Sequence, residues 1–209
     1  MAITHSTQIQ GSAGLLEVDI DMPENCSKGI AFLAHPLTVV GGNKDHKVIT
    51  TMSRALTSVG WMVIRGNFRG AGASEGQYEA GVGETEDFLT IIDRAFEMRG
   101  VVEMLPATGR VIFGGFSFGA YVASLAAQVR KPAGMILAGP GIARFNVPIP
   151  ATPTFVVHGE CDEIIPLQMA LTWCANAGLS LTVVPGADHV FAGKLPLLGR
   201  ELSRFAALI

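Results

Sequence analysis

Ser117, Asp162 and His189 are the residues whose types and order could do chemistry together in this chain. Ser117 stands in Gly115-Phe-Ser-Phe-Gly119, after the apolar run Val111-Ile-Phe113 and before Ala120-Tyr-Val-Ala-Ser-Leu-Ala-Ala-Gln128. A strand that turns sharply into a helix at such a serine exposes the hydroxyl, and the flanking glycines leave room for the tightly folded backbone. A serine hydroxyl becomes nucleophilic when a base takes its proton, and that base needs a third group to fix its tautomer and hold its charge. The chemistry expected of such a set is acyl transfer, with the serine oxygen attacking an ester-like carbonyl. The pattern occurs twice, because Gly72-Ala-Ser-Glu-Gly76 also fits. Ser74 lies in a glycine-rich polar stretch with no helical run after it, so it reads as loop.

In an α/β sheet, reactive groups collect on loops after the carboxyl ends of strands. Two such loops follow the serine: His158-Gly-Glu-Cys-Asp-Glu163 and Pro185-Gly-Ala-Asp-His189. His189 is the expected base. His5 falls in an N-terminal hairpin, His46 on a helix and His158 on a strand end, while His35 precedes the serine. Asp162 is the expected acid, since four residues beyond His158 allow a turn back across the strand ends; Glu160, Glu163 and Asp188 are the alternatives. An oxyanion hole would take one backbone N–H from Phe118, directly after the serine. The second should come from His35-Pro-Leu-Thr-Val-Val-Gly-Gly42, where Pro36 has no N–H and Leu37 is favoured over Gly41 or Gly42.

The elements that must position these residues alternate along the chain. Two strands, 4–10 and 15–21, read as an antiparallel hairpin. Strands are then expected at 28–35, 61–67, 110–116, 134–138, 153–158 and 179–184. Helices are expected at 44–59, 84–99, 118–130, 166–177 and 194–209. Such alternation means βαβ units, a mainly parallel sheet and helices on both faces. The proline-rich segment 139–152 is too short for a lid domain. One domain over 1–209 is expected, with 1–27 as hairpin and 28–209 as βαβ core.

Composition narrows the partners. Of 209 residues, 49% are hydrophobic and 16% charged, which suits strands buried on both faces, and the net charge is −3. With no Lys/Arg cluster, nucleic acid and membrane surfaces are not expected partners; a small-molecule substrate is. No apolar run approaches the ~18 residues of a spanning helix. The N-terminus lacks a basic region followed by an apolar one, and Cys26, Cys161 and Cys174 form no CxxC pair, so a cytoplasmic location is expected. No phosphate loop, complete dinucleotide fingerprint or zinc-ligand spacing is present, so no cofactor or metal is expected.

The order Ser117, Asp162, His189, with gaps of 45 and 27 residues, resembles the α/β-hydrolase superfamily. So do Ala34-His-Pro-Leu37, Asn67-Phe-Arg-Gly-Ala-Gly-Ala-Ser-Glu-Gly76 and Gly81-Val-Gly-Glu84. More narrowly, the chain is similar to small lidless bacterial hydrolases related to dienelactone hydrolases. The resemblance implies a three-layer αβα sandwich with a mostly parallel eight-stranded sheet. It also implies an esterase-type mechanism and a bracing role for Asn67, Arg69 and Gly70. Dienelactone hydrolases use cysteine as nucleophile, so the serine here makes dienelactone a poor substrate, and Cys161 reads as packing. Phe116, Phe118 and Phe191 could form an acyl pocket or belong to the core, and Tyr78 could touch substrate. The same three residues can serve esters, thioesters, lactones or small amides. A non-catalytic binding protein is the competing class, against which the ordered set argues.

Overall fold

The computed structural model describes residues 3–107 and 109–209. Its strands are β1 (Ile3–Gly11), β2 (Gly14–Met22), β3 (Gly29–Ala34), β4 (Trp61–Gly66), β5 (Arg110–Phe116), β6 (Gly134–Ala138), β7 (Thr154–Gly159) and β8 (Leu181–Val184). They form a single sheet in the order β1-β2-β4-β3-β5-β6-β7-β8. The hairpin joins it through β2, which pairs antiparallel with β4, and from β4 to β8 the strands are parallel. Strands β3, β4 and β6 are buried at every position, as expected where helices cover both faces.

The helices are α1 (Lys47–Thr57), α2 (Val82–Ala95), the short α3 (Arg99–Val102), α4 (Phe118–Val129), α5 (Leu167–Ala177) and α6 (Leu195–Leu208). Met52 and Leu56 of α1 and Leu198 and Leu202 of α6 pack with Ala31, Val63 and Ile112 on one face. Phe88 and Ile91 of α2 and Val122 and Ala123 of α4 pack with Phe32, Met62 and Phe113 on the other. The result is the three-layer arrangement, and no helix occurs between β6 and β7 among the described residues.

Local chemistry moved two boundaries from their sequence expectation. The helix expected from residue 44 starts at Lys47, because Asn43 turns the chain by accepting the Asp45 N–H at 2.9 Å and His46 caps the helix from outside. Lys44 is instead buried, its ammonium 2.7 Å from Asp19 and 3.1 Å from Asp45. Arg65 joins the same cluster through Asp21 at 2.6 Å. Burial opposes the charges of Asp21, Lys44 and Arg65, yet the hydrogen bonds prevail: Asp21 is held below its ordinary range, and Lys44 and Arg65 above theirs. The second shift is in α2, which starts at Val82 because the Glu84 carboxylate accepts the N–H groups of Gly81 (2.7 Å) and Glu79 (2.9 Å).

Candidate active site

The turn from β5 to α4 is made at Ser117, whose φ of 55° and ψ of −114° are a strained conformation for a residue with a side chain. A Cβ on Gly115 would lie 2.3 Å from the Gly119 carbonyl carbon, and one on Gly119 would lie 2.0 Å from the Ala34 oxygen. Only glycine fits at either position. The Ser117 hydroxyl is 3.0 Å from His189 Nε2.

His189 lies beyond β8 and Asp162 beyond β7, on adjacent parallel strands, so their loops leave the same edge of the sheet. His189 Nδ1–H donates to Asp162 Oδ2 at 2.7 Å, which leaves Nε2 to accept from Ser117. The other Asp162 oxygen accepts the N–H groups of Ile164 (2.9 Å) and Ile165 (2.8 Å). Burial alone would raise the Asp162 carboxyl, but the bonds from His189 and Ile165 hold it below the ordinary carboxylate range. The loop is closed from below by His158, fully buried at the end of β7, which donates from Nε2 to the Ile165 carbonyl at 2.8 Å. The alternative acids do not reach His189. Glu160 accepts the Gly186 N–H at 2.8 Å, Asp188 accepts the Ala192 N–H at 2.7 Å, and Glu163 is exposed.

Among the candidate donors, the N–H groups of Phe118 and Leu37 make no hydrogen bond within the described residues. Those of Gly41 and Gly42 are spent on the carbonyls of Thr38 (2.9 Å) and Leu37 (3.0 Å). The loop carrying Leu37 is pinned by His35, buried completely, which donates to the Pro36 carbonyl at 2.6 Å and accepts the Phe68 N–H at 3.0 Å. Burial lowers the pKa of His35 to about 4, so the ring is neutral and keeps both bonds. Of the expected bracing residues, Asn67 accepts the Lys44 N–H at 2.7 Å and donates to Glu17 at 2.8 Å, Arg69 pairs with the fully buried Asp87, and the Gly70 N–H donates to the Glu75 carbonyl at 3.1 Å.

Ser117 and His189 open into a cavity of about 320 Å³. The sequence left three phenylalanines open between cavity wall and core, and the structure divides them. Phe116 does line it, stacking on His46 (5.3 Å) and against His189 (5.0 Å), and so does Phe118. Phe191 sits behind Phe116, and Tyr78 sits behind Phe118 with ring centroids 5.7 Å apart; neither reaches the cavity. Val40, Phe145, Ile164 and Val190 complete the wall. Only Phe145 lies in 139–152, where the strand–helix pattern breaks; Val40 ends a short 3-10 turn, and Ile164 and Val190 lie in loops that gave no signal. Cys161 is exposed rather than packed.

Residues 74–180 match the phospholipase/carboxylesterase family model. This chain belongs to that family of α/β hydrolases. The match contains Ser117 and Asp162 and ends before His189. An α/β serine hydrolase homologue from Coxiella burnetii is 32% identical, with a TM-score of 0.86 and 96% of each chain covered. A serine hydrolase without a lid from Xanthomonas campestris is 31% identical, with the same TM-score, over 96% of this chain and 92% of that one. Est1E of Butyrivibrio proteoclasticus, in a structure with ferulic acid bound, is 18% identical with a TM-score of 0.81, over 95% of this chain and 97% of that one, a likeness of fold alone. The phospholipase/carboxylesterase family and this eight-stranded sheet thus agree on a hydrolase of the α/β type. No helix of the described residues is long and apolar enough to cross a membrane.

Proposed function

We propose that this protein hydrolyses carboxylic esters of small molecules by acyl transfer through Ser117. One observation carries the reading: the hydrogen-bonded series Asp162–His189–Ser117, at 2.7 and 3.0 Å, ends on a strained serine that opens into an apolar cavity. His189 Nε2 takes the hydroxyl proton as Oγ attacks the carbonyl carbon. Asp162 holds the imidazole in the tautomer that can accept that proton, and stabilises the imidazolium formed. The developing oxyanion is received by the Phe118 and Leu37 N–H groups, the former in the first turn of the 12-residue α4, where the helix end is positive. The imidazolium then gives its proton to the leaving alkoxide, and an acyl-serine remains. Water, deprotonated by His189, attacks the acyl carbon; the acid departs and Ser117 recovers its proton. A cytoplasmic location belongs to the same reading, supported by three cysteines that form no disulfide.

Fluorophosphonate labelling tests the proposal, because the probe needs both the base and the oxyanion donors to be assembled. The expected result is one adduct, located by mass spectrometry on the Ser117 peptide and absent in Ser117→Ala. A wild-type protein that takes no label, or takes it elsewhere, would remove the proposal. With the adduct in hand, matched ester, thioester and amide substrates rank the bond cleaved.

A further inference from the structure

The wall of the cavity beside Ser117 contains one permanent charge among the described residues. Arg144 lines it, and no Asp, Glu or Lys does. Asp162 is screened from the cavity by His189, its side chain only 1% exposed. The Arg144 guanidinium has no hydrogen bond or ion pair among the described residues, whereas Arg65 and Arg69 are saturated with carboxylates.

The backbone under Arg144 is fixed. Its N–H and that of Phe145 both donate to the Gly141 carbonyl, at 3.1 and 3.0 Å, and Gly141 in turn donates to the Ser117 carbonyl at 3.1 Å. The neighbouring Phe145 ring is stacked on Tyr121 at 4.8 Å and packs against Phe118 at 5.2 Å. Arg144 is exposed and is carried on a turn whose backbone is tied to that of the serine, and the apolar Phe145 and Ile164 line the same cavity. The chain as a whole has a net charge of −3, so an anion gains no general attraction and must be recognised locally.

We propose that Arg144 selects substrates that carry a carboxylate in addition to the bond cleaved, making the natural substrate a half-ester or another ester of a small acid. This rests on the hydrolase reading above and specifies its substrate class. A guanidinium presents a planar fork that matches a carboxylate, and a single negative charge against a single cation is balanced. A phosphate, with a charge of about −1.5 to −2, would exceed the single cation of this wall.

The test pairs charged and neutral esters of the same shape. On the acyl side these are mono-4-nitrophenyl succinate and 4-nitrophenyl methyl succinate; on the alcohol side, 4-acetoxybenzoate and its methyl ester. The quantity read is the ratio of kcat/KM, charged over neutral, in wild type, Arg144→Gln and Arg144→Lys. At least one pair should show the ratio falling about tenfold in Arg144→Gln and less in Arg144→Lys, as expected for loss of a charge-assisted fork. The wild-type ratio should also shrink as ionic strength rises from about 0.01 to about 1 M. Ratios that do not change with Arg144 in either pair overturn the inference. A second readout is independent of turnover. In Ser117→Ala, monomethyl succinate should bind more tightly than dimethyl succinate by NMR titration, and the preference should vanish on adding Arg144→Gln. A wild type that cleaves no ester while this preference holds removes the proposed function and leaves the Arg144 site standing. Equal binding of the two probes removes the site.

Discussion

Ser74 and Ser117 stand between glycines at the same spacing, and the structure uses their hydroxyls in opposite ways. Ser74 Oγ donates to the Asn67 carbonyl at 2.8 Å and accepts the Glu17 N–H at 2.9 Å, so it is spent on stitching the glycine-rich loop to β2. Among the described residues Ser117 Oγ has His189 as its single side-chain partner, and its backbone lies at positive φ where that of Ser74 does not. The glycines differ likewise. Those around Ser117 are required by backbone atoms of β3 and α4, whereas a Cβ on Gly76 would first meet the Ala13 side chain at 2.8 Å. A Gly-x-Ser-x-Gly pattern thus marks a crowded turn; reactivity requires in addition that the hydroxyl be left free by the rest of the fold.

The comparison breaks most visibly at Ser117 itself. Ser117→Ala should lower kcat on an activated ester by about 10⁶, while Ser74→Ala should leave turnover per folded molecule near wild type. An active Ser117→Ala protein would erase the distinction. Asp162→Asn should cost about 10⁴ in kcat, since an amide can donate to His189 and favour the wrong tautomer; circular dichroism should show an unchanged fold.

The two regions meet at His35, which holds the Leu37 loop through Pro36 and the Ser74 loop through Phe68. Its pKa is about 4 in the folded protein against an ordinary value of 6.5. The unfolded chain therefore takes up a proton that the folded one refuses, and stability falls as pH drops through the window from 6.5 to about 4. The loss should total about 3 kcal/mol, with His46 and His158, also lowered by burial, acting in the same direction. Urea titrations across that window should show a shallower slope in His35→Gln; an identical slope would assign the effect to other groups.

Smaller effects separate the serines by stability alone. Ser74→Ala leaves the Glu17 N–H and Asn67 carbonyl without their partner and should cost about 1–3 kcal/mol. Replacing Ser117 by Gly rather than Ala relieves the positive φ, so the Gly variant should melt later than the Ala variant by the equivalent of about 1 kcal/mol. Equal melting temperatures would show that the elbow stores no strain.

What could be read from the sequence was whatever depends on local pattern. Unbroken apolar runs marked β3, β4 and β6, and chain order with strand ends placed Ser117, Asp162 and His189 where the structure brings them within hydrogen-bond reach. What could not be read depends on how each polar group is occupied. The spacing from His158 favoured Asp162, and the reason Glu160 and Asp188 do not compete is visible only where the N–H groups of Gly186 and Ala192 engage those two. Its place after Pro36 favoured Leu37, and the structure adds that the Gly41 and Gly42 N–H groups fold back on the loop itself. His46 looked helical by position, yet its ring serves as the cap and as a stacking surface for Phe116.

The absence of a helix between β6 and β7 also bears on the fate of the acyl group. Val40 and Ile164, at 74% and 56% exposure, form a rim rather than a cover, so an acyl-serine of the proposed mechanism would be open to bulk solvent as soon as the alcohol left. An acyl-enzyme formed there partitions by concentration: at 55-molar abundance (about the molarity of liquid water, in which ~30 Å³ is each molecule's share) water outcompetes any dilute acceptor, and transesterification would emerge only in solvent mixtures rich in alcohol. On the proposed mechanism, such an open mouth would favour hydrolysis over transfer to a dilute acceptor.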